Sequence, residues 1–433
     1  MVVAVRFGTD GIRGRASDEI TVDLAYRLGR AVASVFSVPV YVGYDTRESS
    51  PALAAAVLAG LRDGAATGVN LGYFTTPGVA VIAQRRQGVG VVVSASHNPY
   101  YDNGLKVLGV GGAKLDHATE AAVESALNVA EGAPLAHFDE VAIDETAERE
   151  YLAHLRGLAP TDLSSLSLVL DCANGAASHV APALFTSTGA RVRTIHDQPD
   201  GRNINEGSGS TDVASLIEEV RASGADLGLA LDGDADRLIA VDAEGTVRDG
   251  DDLMVLFALD RAARGTLGGG VVVTSMSNLG LFRALEEAGV EVEETDVGDR
   301  NVLLALEERS WILGAEQSGH VIFRDLAPTG DGLLTGLLLA ELIVRRGPLA
   351  ELAGAAWRRV PQELFSVSLE HFSDDVVQEL FNELLAFYGV DRADVRLLVR
   401  PSGTEPVVRI MIEALNAEFV EAFSERLKSL YGT

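Results

Sequence analysis

Cysteine is nearly absent. The single Cys172 in 433 residues excludes an intrachain disulfide framework and fits a reducing compartment. Long uncharged apolar runs are missing as well. The nearest, Leu333 to Val344, is short and broken by Glu341, so no membrane span is expected. Lysine is scarce: Lys106, Lys114 and Lys428 are the only three, in a chain of 35 basic and 63 acidic residues. The net charge of −28 argues against a general nucleic-acid binder, which shows a basic face. It leaves small anionic ligands open, because those need only a local cluster of arginines and backbone N–H groups. Met1-Val2-Val3-Ala4 leads straight into a charged loop, so no signal peptide is expected and the expected location is the cytoplasm.

Hydrophobic residues make up 47% of the chain, enough for substantial cores, and the length suits roughly two to four domains. The first part alternates strand and helix. Residues 21–36 carry apolar side chains at helical spacing, 38–44 read as a strand, and Ser50-Pro51 reads as a helix start with Ser50 as N-cap and Pro51 as the first helical residue. A further strand, a helix opened by Pro77 and the strand ending at Val93 complete the rhythm of a parallel sheet with crossover helices. Further on, Asp212 reads as the cap of a helix to Ser223. From Pro361 the pattern changes to strand, helix, strand, strand, helix, a small α+β domain.

The stretch VVVSASHNPYYDNGLK, Val91 to Lys106, organises the chemistry. Its apolar start is a buried strand, and Ser96 follows at the carboxyl end, where ligands of such sheets bind. A serine held there suits a nucleophile or a phosphate carrier, and it equally suits a plain β-turn. Asp102-Asn103-Gly104 reads as a turn with Gly104 at positive φ. Lys106 stands out where arginine is the usual cation, since a lysine pKa can be lowered enough for proton transfer. The opening FGTDGIRG is a Gly-rich turn or an anion loop with Arg13 as clamp. Asn203 to Ser210 (NINEGSGS) reads as a flexible surface loop, with a phosphate-facing loop as the alternative.

Asp232, Asp234 and Asp236 stand at alternate positions in DGDADR, directly after a strand. Mutual repulsion makes such a trio costly unless a cation gathers it. An EF-hand is excluded, because Arg237 and Ala243 occupy the positions that would need Gly and Glu. An oxygen-only ligand set favours Mg²⁺ or a similar hard ion. In GAEQSGH, Glu316, Ser318 and His320 alternate, which suits sugar recognition or a polar edge strand. In RPSGTEP and beyond, Arg400 and Arg409 flank Ser402, Gly403 and Thr404, a plausible clamp for a phosphate monoester.

Together these five loops resemble the signature loops of the α-D-phosphohexomutase superfamily, in the family's order and over nearly the whole chain. The resemblance implies an α/β protein of three related α/β domains with mixed sheets and a C-terminal α+β domain like the TATA-binding protein, around a central cleft. The expected domains are 1–150 with the phosphoserine loop, 151–250 with the metal loop, 251–360 with the sugar loop and 361–433 with the phosphate loop. Ser96 would be the phosphoserine, and its phosphate with Asp232, Asp234 and Asp236 would hold one Mg²⁺ per subunit. Lys106, Arg13 and His97 would serve proton transfer and transition-state charge, and His320 would sit near the reacting end. Glu316 and Ser318 would hold sugar hydroxyls. Arg400, Ser402, Gly403, Thr404 and Arg409 would grip the phosphate that is not reacting.

FGTDGIRG and EQSGH look most like the amino-sugar branch of that superfamily. That branch interconverts glucosamine 6-phosphate and glucosamine 1-phosphate through a 1,6-bisphosphate and feeds UDP-N-acetylglucosamine synthesis. Glucosamine or glucose 1,6-bisphosphate would be the primer. The expected partner is a small hexosamine phosphate, without nucleic acid or membrane, and the expected state is monomer or homodimer. The alternatives are a phosphomannomutase or phosphoglucomutase of the same superfamily, or a metal-dependent sugar phosphatase. Ala315 replaces a usual glycine before the glutamate, and Asn301 replaces a common aromatic after VGDR. Both departures bear on sugar preference and neither removes a reacting group.

Overall fold

The computed structural model describes residues 6–8, 10–132, 138, 141–401 and 406–432. Its strands form four sheets. In the first, β1 (Ile12–Arg15), β2 (Val40–Tyr44), β3 (Gly68–Tyr73), β4 (Val89–Val93) and β5 (Asp102–Leu108) lie in the order β1-β5-β4-β2-β3. β2, β3 and β4 are parallel, while β5 turns back antiparallel to β4 and pairs with β1. β2 and β4 are buried at every residue, which is why they read as unbroken apolar runs.

The second sheet repeats this plan. β6 (Ser167–Asp171), β7 (Arg191–Ile195), β8 (Leu227–Leu231), β9 (Leu238–Asp242) and β10 (Val247–Arg248) take the order β10-β9-β8-β6-β7, with β9 returning antiparallel to β8. The third repeats it once more in four strands. β11 (Val271–Thr274), β12 (Val292–Thr295) and β13 (Leu313–Ala315) are parallel, and β14 (Val321–Phe323) returns antiparallel to β13. The fourth sheet is wholly antiparallel: β15 (Gln362–Ser368), β16 (Val395–Pro401) and β17 (Val407–Ala414) in the order β15-β17-β16. Helices Asp374–Tyr388 and Ala417–Tyr431 cover it, burying Phe381, Phe419 and Phe423. The multi-domain α/β architecture expected from the sequence is thus the one observed.

Three local expectations are corrected. Asp102-Asn103-Gly104 is not a turn but the start of β5, and Gly104 is not among the positive-φ residues. It is glycine for another reason: a Cβ there would lie 2.4 Å from the Ser94 carbonyl oxygen. Ser50 is not the cap of its helix. It is the first helical residue, and its Oγ donates to Asp45 Oδ1 at 2.7 Å. The helix at Ala214–Ser223 has Val213, not Asp212, at its N-cap. Strands β1, β5, β7, β10 and β14 and the helix Leu349–Ala356 were not legible in the sequence pattern. No helix among the described residues is long and apolar enough to cross a membrane.

Candidate active site

The turn that reverses each of the first three sheets carries a signature loop. Ser96 and His97 lie between β4 and β5, the three aspartates between β8 and β9, and Glu316 to His320 between β13 and β14. The topology therefore places three chemistries at equivalent positions.

Ser96 is buried and sits at φ 51°, a left-handed conformation that a non-glycine residue holds only when its surroundings enforce it. The enforcement is visible. Its backbone N–H donates to Ser94 Oγ at 2.9 Å, and Ser94 Oγ donates to Asp45 Oδ2 at 2.6 Å. Its carbonyl accepts from Arg47 Nη2 at 2.9 Å and from Asn205 Nδ2 at 2.9 Å. Arg47, fully buried, also donates to the carbonyls of Asn98, Pro99 and Asp102 and pairs with Asp45. The sequence reading missed Arg47 and Asn205. The loop Asn203 to Ser210, read as a surface loop, has Ile204 and Ser208 buried and sends Asn205 to the serine loop.

Ser96 Oγ donates to Asp232 Oδ2 at 2.5 Å and lies 3.3 Å from His97 Nδ1. Burial, then the nearby Arg237 and Arg13 charges, lower the His97 pKa to about 4, so its ring is neutral at pH 7. Asp232, Asp234 and Asp236 are buried, and one ligand atom from each lies within 4.8 Å of the others. Lys106 on β5 reaches into this group, 3.0 Å from Asp234 Oδ2, 3.7 Å from Asp236 Oδ2 and 3.0 Å from Asp10 Oδ2. Asp10 also pairs with Arg13, so the opening loop joins the cluster through that carboxylate. Thr76 Oγ1 donates to Asp234 Oδ2 at 2.6 Å.

The acids respond differently to burial. Burial, then repulsion from Asp236 and Asp234, pushes Asp232 well above the usual carboxylate range. Burial acts on Asp236 too, but Lys106, His320 and Arg237 outweigh it and hold that carboxyl well below the usual range. A divalent cation would ease the repulsion that loads Asp232. The donor set fits one: Asp234 Oδ1 and Asp236 Oδ1 are buried and have no hydrogen-bond partner among the described residues. Oxygen-only ligands suit a hard ion such as Mg²⁺.

His320 is buried, 3.7 Å from Asp236 Oδ1. Burial opposes its charge, yet Asp236, Asp299 and Glu316 raise its pKa above the usual value. Glu316 Oε1 accepts from the Gly298 N–H at 2.9 Å, which ties the loop between β13 and β14 to the start of the helix Asp299–Arg309. Ser318 is exposed. Arg400 and Arg409 face each other as a cross-strand pair on β16 and β17, an arrangement of like charges that costs stability unless an anion lies between them. Arg400 Nε is buried and has no hydrogen-bond partner among the described residues. Ser402, Gly403 and Thr404 lie outside the described residues.

A serine and three carboxylates at the turns of two like sheets, with a lysine from the strand after the serine, describe a phosphotransfer enzyme, and comparison with known proteins gives its family. Models of the phosphoglucomutase/phosphomannomutase family match in chain order: alpha/beta/alpha domain I over residues 4–132, domain II over 149–245, domain III over 249–360 and the C-terminal domain over 367–429. The chain belongs to this family and is an enzyme of the phosphohexomutase kind, an isomerase. Within the family it is similar to phosphoglucosamine mutases. That of Desulforamulus reducens is 43% identical, covering 99% of this chain and 100% of its own, and that of Moorella thermoacetica is 45% identical over 96% of each. The crystal structure of a phosphoglucomutase/phosphomannomutase family protein from Burkholderia thailandensis superposes with a TM-score of 0.80 at 26% identity, covering 99% of this chain and 98% of that one.

Proposed function

We propose that this enzyme interconverts glucosamine 6-phosphate and glucosamine 1-phosphate in the cytoplasm, with Ser96 as the phosphoryl carrier. The observation that carries the proposal is the meeting of Ser96 Oγ, Asp232 and Lys106-bound Asp234 from two separate sheets. The amino sugar as substrate is supported by the phosphoglucosamine mutases the chain is similar to.

Phosphoserine 96 gives its phosphoryl group to the free hydroxyl of the sugar monophosphate. The Oγ–P bond breaks, a P–O bond to the sugar forms, and the hydroxyl proton ends on Ser96 Oγ. There Asp232 Oδ2 takes its hydrogen bond, at 2.5 Å. Neutral His97 and Lys106 are the groups that hold or move that proton, and Arg13 is held beside Lys106 through Asp10. The bisphosphate turns over in the cleft and its other phosphate returns to Ser96. Asp232, Asp234 and Asp236 would hold one Mg²⁺ with the serine phosphate, and the ion would supply charge neutralisation at the transferring group. Glu316 and Ser318 would hold sugar hydroxyls, with His320 near the reacting end. Arg400, Arg409 and Ser402 to Thr404 would grip the distal phosphate. A sugar 1,6-bisphosphate would prime the cycle.

The test is kcat/KM for glucosamine 6-phosphate beside glucose 6-phosphate and mannose 6-phosphate, with bisphosphate primer and Mg²⁺. We expect a preference for the amino sugar of about tenfold or more, because only it offers a 2-amino group to the site. Equal or reversed preference would overturn the sugar and leave the reaction. Phosphate release without isomer would point to the phosphatase.

A further inference from the structure

Behind the sugar loop runs a closed ring of hydrogen bonds that the reaction itself does not use. Gln317, between Glu316 and Ser318, donates through Nε2 to Asp251 Oδ2 at 3.3 Å and to Gln362 Oε1 at 3.4 Å. Gln362 in turn donates to Glu413 Oε2 at 3.1 Å. The two carboxylates end on neighbouring backbone amides at the start of the helix Leu279–Glu287: Asn278 N–H to Asp251 at 2.9 Å and Leu279 N–H to Glu413 at 3.1 Å. The ring thus passes through the first turn of the helix Gly250–Ala263, the sugar loop, β15, β17 and the loop after β11.

We propose that Gln317 and Gln362 are positioning residues that couple the sugar loop to the C-terminal sheet, so that the grips on the sugar and on its distal phosphate move together. The coupling rests on the roles proposed above for Glu316, Arg400 and Arg409. Gln362 and Glu413 are in register across β15 and β17, and β17 also carries Arg409 opposite Arg400. A shift of the sheet is therefore a shift of both arginines and of Gln362. At the other end, Gly250 presses on the sugar loop: a Cβ there would lie 1.9 Å from the Glu316 carbonyl oxygen, and the Gly250 N–H donates to the Gln317 carbonyl at 3.0 Å. Gln317 gives both of its bonds through Nε2, while Gln362 accepts through Oε1 and donates through Nε2, so the two amides relay the link from one carboxylate to the other.

The ends of the ring titrate near neutrality. Burial, then Asp249, raises the Asp251 pKa to about 7 against the pull of the Asn278 N–H, Ser277 and Arg359. Burial raises Glu413 to about 7 against the Leu279 N–H, Arg396 and Gln362, with Glu294 adding to the rise. A glutamine amide bonds a carboxylate more strongly than a carboxylic acid. The link therefore tightens as pH rises through 7.

The experiment uses the full-length enzyme with Mg²⁺ and glucose 1,6-bisphosphate, and compares wild type with Gln317→Leu, Gln362→Leu and the double variant. Each single variant is expected to raise KM for glucosamine 6-phosphate about fivefold, the worth of one lost buried hydrogen bond. Each should also release more bisphosphate per turnover, with phosphate on Ser96 unchanged. The double variant should be no worse than the worse single, because either break opens the ring. Unchanged KM and bisphosphate release, with losses that only follow Tm, would overturn the coupling. So would additive effects. If Gln362→Leu does not fold, Gln317→Leu decides by the same readouts. A wild type that does not isomerise the sugar phosphate overturns the proposed function and the coupling with it. A wild type that isomerises beside unaffected variants overturns the coupling alone.

Discussion

Arg47 holds four carbonyl oxygens of the serine loop and the Asp45 carboxylate with one fully buried guanidinium. Replacing it leaves Asp45 buried and uncompensated. Arg47→Ala is expected to cost about 3–5 kcal/mol, the range for breaking a buried pair. Thermal denaturation checks it, and a Tm within a degree of wild type would contradict the assignment. Arg47→Lys should rescue little, since an ammonium lacks the flat five-donor fork. At the same scale, Ser96 Oγ engages Asp232 in the unmodified enzyme. Phosphorylation replaces that hydroxyl hydrogen, frees Asp232 Oδ2 and adds phosphate oxygens. Mg²⁺ titration by calorimetry should therefore show tighter binding to phosphorylated than to unmodified enzyme, by about tenfold or more. Equal affinity would count against the shared site. The reacting groups were legible as residues because acids, a lysine and a serine in tight loops have little structural use together. Arg47 was not, because its partners lie about fifty residues on in the chain and a lone arginine after a strand reads as surface.

At the scale of the element, β2 and β4 were plain because both faces are buried and the residues are apolar. β1 and β5 were not. Asp102-Asn103-Gly104 has turn composition, yet it pairs in register with Arg15, Gly14 and Arg13 on β1, and tertiary pairing overrides the local preference. The loop Asn203 to Ser210 failed for a related reason: its polar residues satisfy protein groups in place of water, with Asn205 meeting Ser96 O across 109 residues. Gly104→Ala tests the β4–β5 packing. The added Cβ would strike the Ser94 carbonyl at 2.4 Å, and backbone cannot swing aside as a side chain can. A loss of about 1–3 kcal/mol is expected, with loss of activity greater than loss of fold, because Ser94 supports Ser96. Denaturant unfolding beside kcat separates the two, and an unaffected kcat would contradict the link.

Across the whole molecule the same sheet-and-return plan occurs three times, and each return carries one part of the site. The repeat was invisible in the residues, since the three turns SASHNPYY, DGDADR and EQSGH share no chemistry. Topology conserves the place while the side chains differ. The large buried acids set the pH behaviour. Glu413 and Asp251 rise to about 7 and Asp331 to about 6, all chiefly by burial. A folded pKa above the unfolded value of about 4 gives stability that is complete below about pH 4 and lost as pH rises through the folded value. Stability should thus fall from about pH 4 to about pH 7, and Glu413→Gln should flatten part of that slope. Unfolding free energies at several pH values check this; a variant slope equal to wild type would contradict it.

The central claim is that Ser96 carries phosphate between the two ends of the sugar. Intact mass of the purified enzyme, before and after glucose 1,6-bisphosphate, with Ser96→Ala alongside, tests it most directly. The account predicts a gain of about 80 Da in wild type, none in the variant, and loss of the added mass when glucosamine 6-phosphate is supplied. No phosphate on Ser96 under priming, with sugar phosphate still consumed, would contradict it.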